Sequence, residues 1–116
     1  MPTPRQLEDR FARIGISRVV VTMGSHGAAV MEAGKITKIP PFTYAEAVDT
    51  TGAGDTFNGV LTAMLATGET VINAATVAAV AAGISVTRHG AAGSIPTKTE
   101  IDTAFVQRER IQNEEK

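Results

Sequence analysis

Residues 49 to 59, Asp-Thr-Thr-Gly-Ala-Gly-Asp-Thr-Phe-Asn-Gly, set a glycine-rich turn and a carboxylate directly ahead of apolar residues at helical spacing. Phe57, Val60, Leu61, Met64 and Leu65 carry that spacing, so the glycines fall at a helix N-terminus. Gly52 and Gly54 admit backbone angles closed to other residues, which lets successive N–H groups converge on one concavity. Free amides and the helix macrodipole both draw negative charge there. Asp55 borders the concavity and can take a proton from an incoming hydroxyl, while the amides of Gly52, Ala53 and Gly54 stabilise charge on a group in transfer. Phosphoryl transfer to an alcohol needs both. The same residues also serve an ordinary helix start with aspartate as N-cap, and a short glycine motif does not separate the two.

The rest of the chain alternates in a way that suits an α/β fold. Thr3, Pro4 and Gln6 form a capping-box start for a helix reaching about Ile14. Arg18 to Met23 is expected as a buried strand, and the Ala28–Met31 and Ile36–Ile39 runs around Gly34 as a hairpin. Pro40 and Pro41 then break the pairing, and Tyr44 to Val48 is expected as a short strand leading into the anion turn. Helices follow from about Gly54 to Ala66, from Val71 to Val86 and from Lys98 to Gln112, the last opened by a second capping box of Thr97 and Glu100. The final Asn-Glu-Glu-Lys should fray.

Composition narrows the function class. At 116 residues the chain is expected as one domain, and 43% hydrophobic with 20% charged residues argues against disorder. Eleven basic against twelve acidic side chains leave a net charge of −1, with no electrostatic footprint for nucleic acid or anionic lipid. Small-molecule chemistry fits better. The uncharged stretch Thr70 to Thr87 approaches the length of a membrane span, but its bulk is alanine with Asn73, Thr76 and Ser85 interspersed, so a buried helix with small faces is expected. Zero cysteines exclude disulfide stapling, and Met1-Pro-Thr-Pro-Arg lacks the apolar core of a signal peptide, which makes the cytoplasm the expected location. His26 and His89 stand without partners at metal-ligand spacing, so no zinc site is expected.

Val48 to Gly59 closely resembles the signature of the ribokinase-like (PfkB) family of carbohydrate kinases. Two further stretches are similar to that family: Ser17 to Gly27, Ser-Arg-Val-Val-Val-Thr-Met-Gly-Ser-His-Gly, and Thr87 to Pro96, Thr-Arg-His-Gly-Ala-Ala-Gly-Ser-Ile-Pro. The resemblance implies ATP-dependent phosphorylation of a sugar hydroxyl, with ribose the expected sugar, Asp55 as catalytic base and Gly52, Ala53 and Gly54 as the anion hole. It places Thr22, Met23, Gly24, Ser25, His26 and Gly27 along ATP and Ala79 near adenine. It also implies a monovalent cation such as K+ held by Asp49, Thr51, Ser85, Arg88, Gly90 and Ser94, with Arg88 a backbone contact only. A hard cation of this kind takes backbone carbonyls with a carboxylate to offset charge; Asp49 read by itself serves equally as a turn residue satisfying nearby amides.

Family members are considerably longer. The chain therefore resembles the C-terminal portion of their three-layer α/β/α fold, a single partial domain over 1–116, truncated on the N-terminal side. The sugar contacts, the lid and the residues that help place Mg2+ lie outside it. Such a truncation would leave sheet edges and apolar surface open, so a homo-oligomer or pairing with the missing N-terminal portion is expected, with no nucleic-acid or membrane partner. Two alternatives stay open: a non-catalytic nucleotide-binding or interaction module, and one chain of a split kinase.

Overall fold

The computed structural model describes residues 3–43, 47–88 and 96–104. Helix α1 (Pro4–Arg13) starts at the expected capping box: Thr3 Oγ1 accepts from the Gln6 amide at 3.2 Å and Gln6 Oε1 from the Thr3 amide at 2.8 Å. Strands β1 (Arg18–Thr22), β2 (Ala28–Glu32) and β3 (Lys35–Ile39) form an antiparallel sheet in the order β1-β2-β3. Short connections dictate that pairing, because a parallel pair needs a crossover of a dozen or more residues. The β2–β3 turn holds two residues, Ala33 and Gly34, both with positive φ (52° and 76°) as a tight hairpin of right-handed twist demands.

Helices α2 (Ala53–Ala66) and α3 (Val71–Ser85) follow, and residues 98–104 are helical. The second capping box also forms: Thr97 Oγ1 accepts from the Glu100 amide and Glu100 Oε1 from the Thr97 amide. The expected extension of this helix to Gln112 lies outside the described residues, as do residues 44–46 of the expected Tyr44–Val48 strand; Ala47 and Val48 are not in a strand.

β1 departs from the buried strand expected of it. Its ends are exposed and its middle half-buried, because among the described residues it pairs with β2 alone and so forms one edge of the sheet. The central strand β2 is the buried one. On one face Val20, Ala28, Val30 and Ile39 pack with Phe57 of α2 and with Val71, Ala75, Ala78 and Ala79 of α3. On the other, Val19 and Met31 border a cleft shared with Phe11 and Ala12 of α1. Helices α2 and α3 thus cover one face of the sheet and α1 lies across a cleft from the other, the helix-and-sheet layering of an α/β fold.

The small residues of α3 are what let these layers close. Ala74, Ala75, Ala78 and Ala81 are fully buried, and at Gly83 even a methyl group is excluded: a Cβ built there meets the backbone oxygen of Phe42 at 2.2 Å. The expectation of small faces for another helix or a base is met at Gly83 by the chain's own 40–43 segment instead. No helix among the described residues is long and apolar enough to cross a membrane. Gly83→Ala is expected to destabilise the fold by about 1–3 kcal/mol through overpacking against that backbone, more than the gain in helix propensity. Urea unfolding measures it, and a midpoint at or above that of the parent chain would contradict the contact.

Candidate functional site

Gly52 is the hinge on which the site turns. It sits at φ 82°, ψ 0° as the residue before α2, a left-handed conformation that costs little only for glycine. Gly54, expected to need similar freedom, has no positive φ and lies inside the first turn of α2. Its hydrogen matters for a different reason: a Cβ at Gly54 meets nothing within 4 Å and would project into open space.

That space is a cleft of about 530 Å³, a size suited to a small organic ligand. Ala53 and Gly54 form one wall. Thr22, Gly24, Ser25 and Gly27, from the end of β1 and the 3₁₀ turn Gly24–His26, form another, and Ala79 and Gly83 of α3 the floor. Three stretches far apart in sequence, all singled out from sequence, therefore meet. Met23, His26, Gly52 and Asp55 are not among the lining residues. Met23 and His26 are spent on the turn, with the Met23 amide bonded to Gly27 O at 2.8 Å and the His26 amide to Met23 O at 3.0 Å. Asp55 is exposed in the first turn of α2, next to Gly54.

Gly27 lines the cleft but is also crowded from behind. A Cβ there would lie 2.1 Å from Ile39 O and 2.8 Å from Pro41 N, so its bareness is demanded by the chain's own backbone, whereas Gly24 opens onto space with nothing within 4 Å. The segment that crowds Gly27 also supplies a wall the sequence reading missed: Pro41, Phe42 and Thr43 line the cleft, with Phe57 from α2. The proline pair signals only the end of β3. The aromatic ring directly after it, in a chain with few aromatics, was the available clue.

Beside the cleft, the anion turn is tied to the end of α3. The amides of Val48 and Asp49 both donate to Val86 O, at 2.7 and 3.0 Å. Asp49 Oδ1 accepts from the Thr51 amide at 2.9 Å, so the turn role weighed for Asp49 is realised by one of its oxygens. Asp49 and Thr51 are thereby brought beside the Ser85–Arg88 turn, where Ser85 O accepts from the Arg88 amide at 3.2 Å. Gly90 and Ser94 lie outside the described residues. The Arg88 side chain turns to Glu100, 12 positions on, with Nη1 to Oε1 at 3.3 Å and a second contact from Nη2 to Oε2.

The family model for pfkB family carbohydrate kinases matches residues 2–98. The chain belongs to this family. It is 43% identical over 86 residues to the ribokinase of Haemophilus influenzae, covering 74% of this chain and 28% of that protein. Among solved structures, ribokinase from Thermotoga maritima superposes with a TM-score of 0.83 at 35% identity, covering 90% of this chain and 35% of that one. Arabidopsis thaliana ribokinase, solved with ribose and ATP, superposes with a TM-score of 0.80 at 31% identity over 88% of this chain and 34% of that one. The chain thus spans between a quarter and two fifths of the length of these relatives.

Behind the site, in the first turn of α2, one buried polar atom lacks an internal partner. Thr56 is 4% exposed, and its hydroxyl has no hydrogen-bond partner although its amide bonds Gly52 O at 2.9 Å. A buried hydroxyl in that state carries its desolvation cost uncompensated. Thr56→Val, of nearly the same shape, is expected to raise stability by about 1 kcal/mol, measured by chemical unfolding; a loss of stability would mean that the hydroxyl has a partner.

Proposed function

We propose that this chain carries the ATP side and the phosphoryl-transfer centre of a kinase that phosphorylates a sugar hydroxyl, with ribose the favoured sugar. The observation that carries the proposal is the common cleft: the turn before α2, the β1 loop and Ala79 face one space of nucleotide scale. The relatives named above are ribokinases, and the Arabidopsis protein was solved with ribose and ATP. The nucleotide lies along Thr22–Gly27, with its base toward Ala79 and Phe42 and its phosphates toward the α2 N-terminus. The amides at Gly52, Ala53 and Gly54 then bind the group in transfer, with the helix macrodipole behind them.

Asp55 accepts the sugar hydroxyl's proton as its oxygen attacks the γ-phosphorus, and the bond to the β–γ bridging oxygen breaks to release ADP. Exposure of Asp55 beside the anion turn supports this role, since an acceptor carboxylate must reach the incoming alcohol. Magnesium bound with ATP supplies charge neutralisation to the phosphates. A monovalent cation suits the neighbourhood of Asp49, where a carboxylate stands beside the carbonyl end of α3, the negative end of that helix. Holding the Asp49–Thr51 turn there preorganises the adjoining amides.

The chain's short span against its relatives supports a second reading, in which it binds nucleotide without catalysis or serves as one part of a split kinase. The open edge of β1 supports pairing with a second copy or with the missing portion of a full-length kinase.

Calorimetric titration with ATP is expected to give binding to the 116-residue chain. Gly54→Asp, which has room for its side chain, should weaken that binding about tenfold by setting a negative charge toward the phosphates, without lowering the melting temperature. Unchanged affinity would remove the phosphates from this turn. In a chain restored to the relatives' length, Asp55→Asn should lower turnover about 10²–10⁴-fold while sparing ATP affinity, and retained turnover would remove Asp55 as the base. ATP binding without sugar-dependent ADP release by the 116-residue chain would favour the binding module.

A further inference from the structure

The Arg88–Glu100 pair stands outside the cleft, on residues to which the proposed chemistry gives no side-chain role. Arg88 closes the turn after α3, and Glu100 occupies the third position of the last helix, where the same Oε1 that meets Arg88 also caps the Thr97 amide at 3.0 Å. The two side chains are 32% and 38% exposed, and ion pairs so placed contribute little to stability. What the pair does is geometric. It ties the turn 85–88 to the start of the last helix, and that turn presents Val86 O.

Val86 O is the acceptor for two amides of the anion turn's approach, Val48 and Asp49. From Asp49 the connection continues through Oδ1 to the Thr51 amide and then to Gly52, whose left-handed conformation aims the first amides of α2. Every link in this path is a hydrogen bond, an ion pair or a peptide bond between described residues. The last turn of α3 is itself tightly bonded: Ala82 O takes the Val86 amide and the Ser85 hydroxyl, and Ile84 O takes the Thr87 amide and hydroxyl. A displacement of Arg88 is therefore passed to Val86 O.

We infer that Arg88 and Glu100 are positioning residues, an ion pair that holds the anion turn in its phosphate-binding geometry through the Val86 carbonyl. The inference rests on the ATP site proposed above for its functional consequence, but its mechanical part stands without nucleotide.

Glu100→Gln tests it with little disturbance to folding, because glutamine at this position preserves the capping box while removing the charge that Arg88 meets. Two measurements on the 116-residue chain separate the parts. Amide hydrogen exchange without ligand is expected to speed up about fivefold at Val48 and Asp49, with the α1 amides unchanged. Titration with ATP is expected to show affinity about fivefold lower, although loss of a negative charge would by simple Coulomb attraction strengthen binding of an anion. Charge alone and positioning thus predict opposite signs. Arg88→Gln should reproduce both effects. Unchanged exchange at Val48 and Asp49 in Glu100→Gln, or an ATP affinity that stays level or rises, overturns the inference. Faster exchange in a chain whose parent form binds no ATP would uphold the coupling and count against the ATP site.

Discussion

The close approach of backbone to α3 is the constraint on which the rest of the structure depends. The alanines and Gly83 of α3 bury one side of the helix at close range, so the sheet, α2 and the 40–43 segment can all come against it. Its driving force is the removal of apolar surface from water, spread over many small groups rather than a few large ones. At the cleft this convergence stops short. Phe57 and Ala79 belong to the packed core and also line the cleft, so core and site share walls and neither can be repacked alone.

Backbone hydrogen bonding then converts packing into a site. A helix ends with unsatisfied carbonyls and begins with unsatisfied amides. Here carbonyls at the end of α3 accept from its own turn and from Val48 and Asp49, while α2 starts at Gly52 beside the cleft. The two termini are placed so that one braces the approach to the other. Chemistry of phosphoryl transfer depends on positioning and electrostatics more than on reactive side chains, and a braced row of amides suits that demand. A lone carboxylate, Asp55, is the only strongly polar side chain that the proposed transfer step needs from this chain.

Much of this was legible in the sequence, for identifiable reasons. Both capping boxes, the hairpin and helices α1, α2 and α3 lie within a residue or two of their expected bounds, because caps, tight turns and apolar spacing are local signals. The glycine turn and the β1 loop were singled out from their residues, and the resemblance added Ala79; the structure brings all three to one cleft. What sequence could not carry was contact at a distance. Gly27 and Gly83 are bare because Ile39, Pro41 and Phe42 press on them, Phe42 lines the cleft, and Glu100 reaches back to Arg88. β1 was misjudged as buried because its run of valines does not reveal how many neighbours a strand has.

Membership of the pfkB family and likeness to ribokinases give the site its context, and the claim at its centre remains physical: the amides opening α2 receive the phosphates of a nucleotide. The most direct measurement is a two-dimensional amide NMR titration of the chain with ADP and ATP. The account predicts that the amide signals of Gly52, Ala53 and Gly54 move the most, and further with ATP than with ADP, together with those of Gly24 and Ser25. Saturable shifts elsewhere with these five amides unmoved would contradict it.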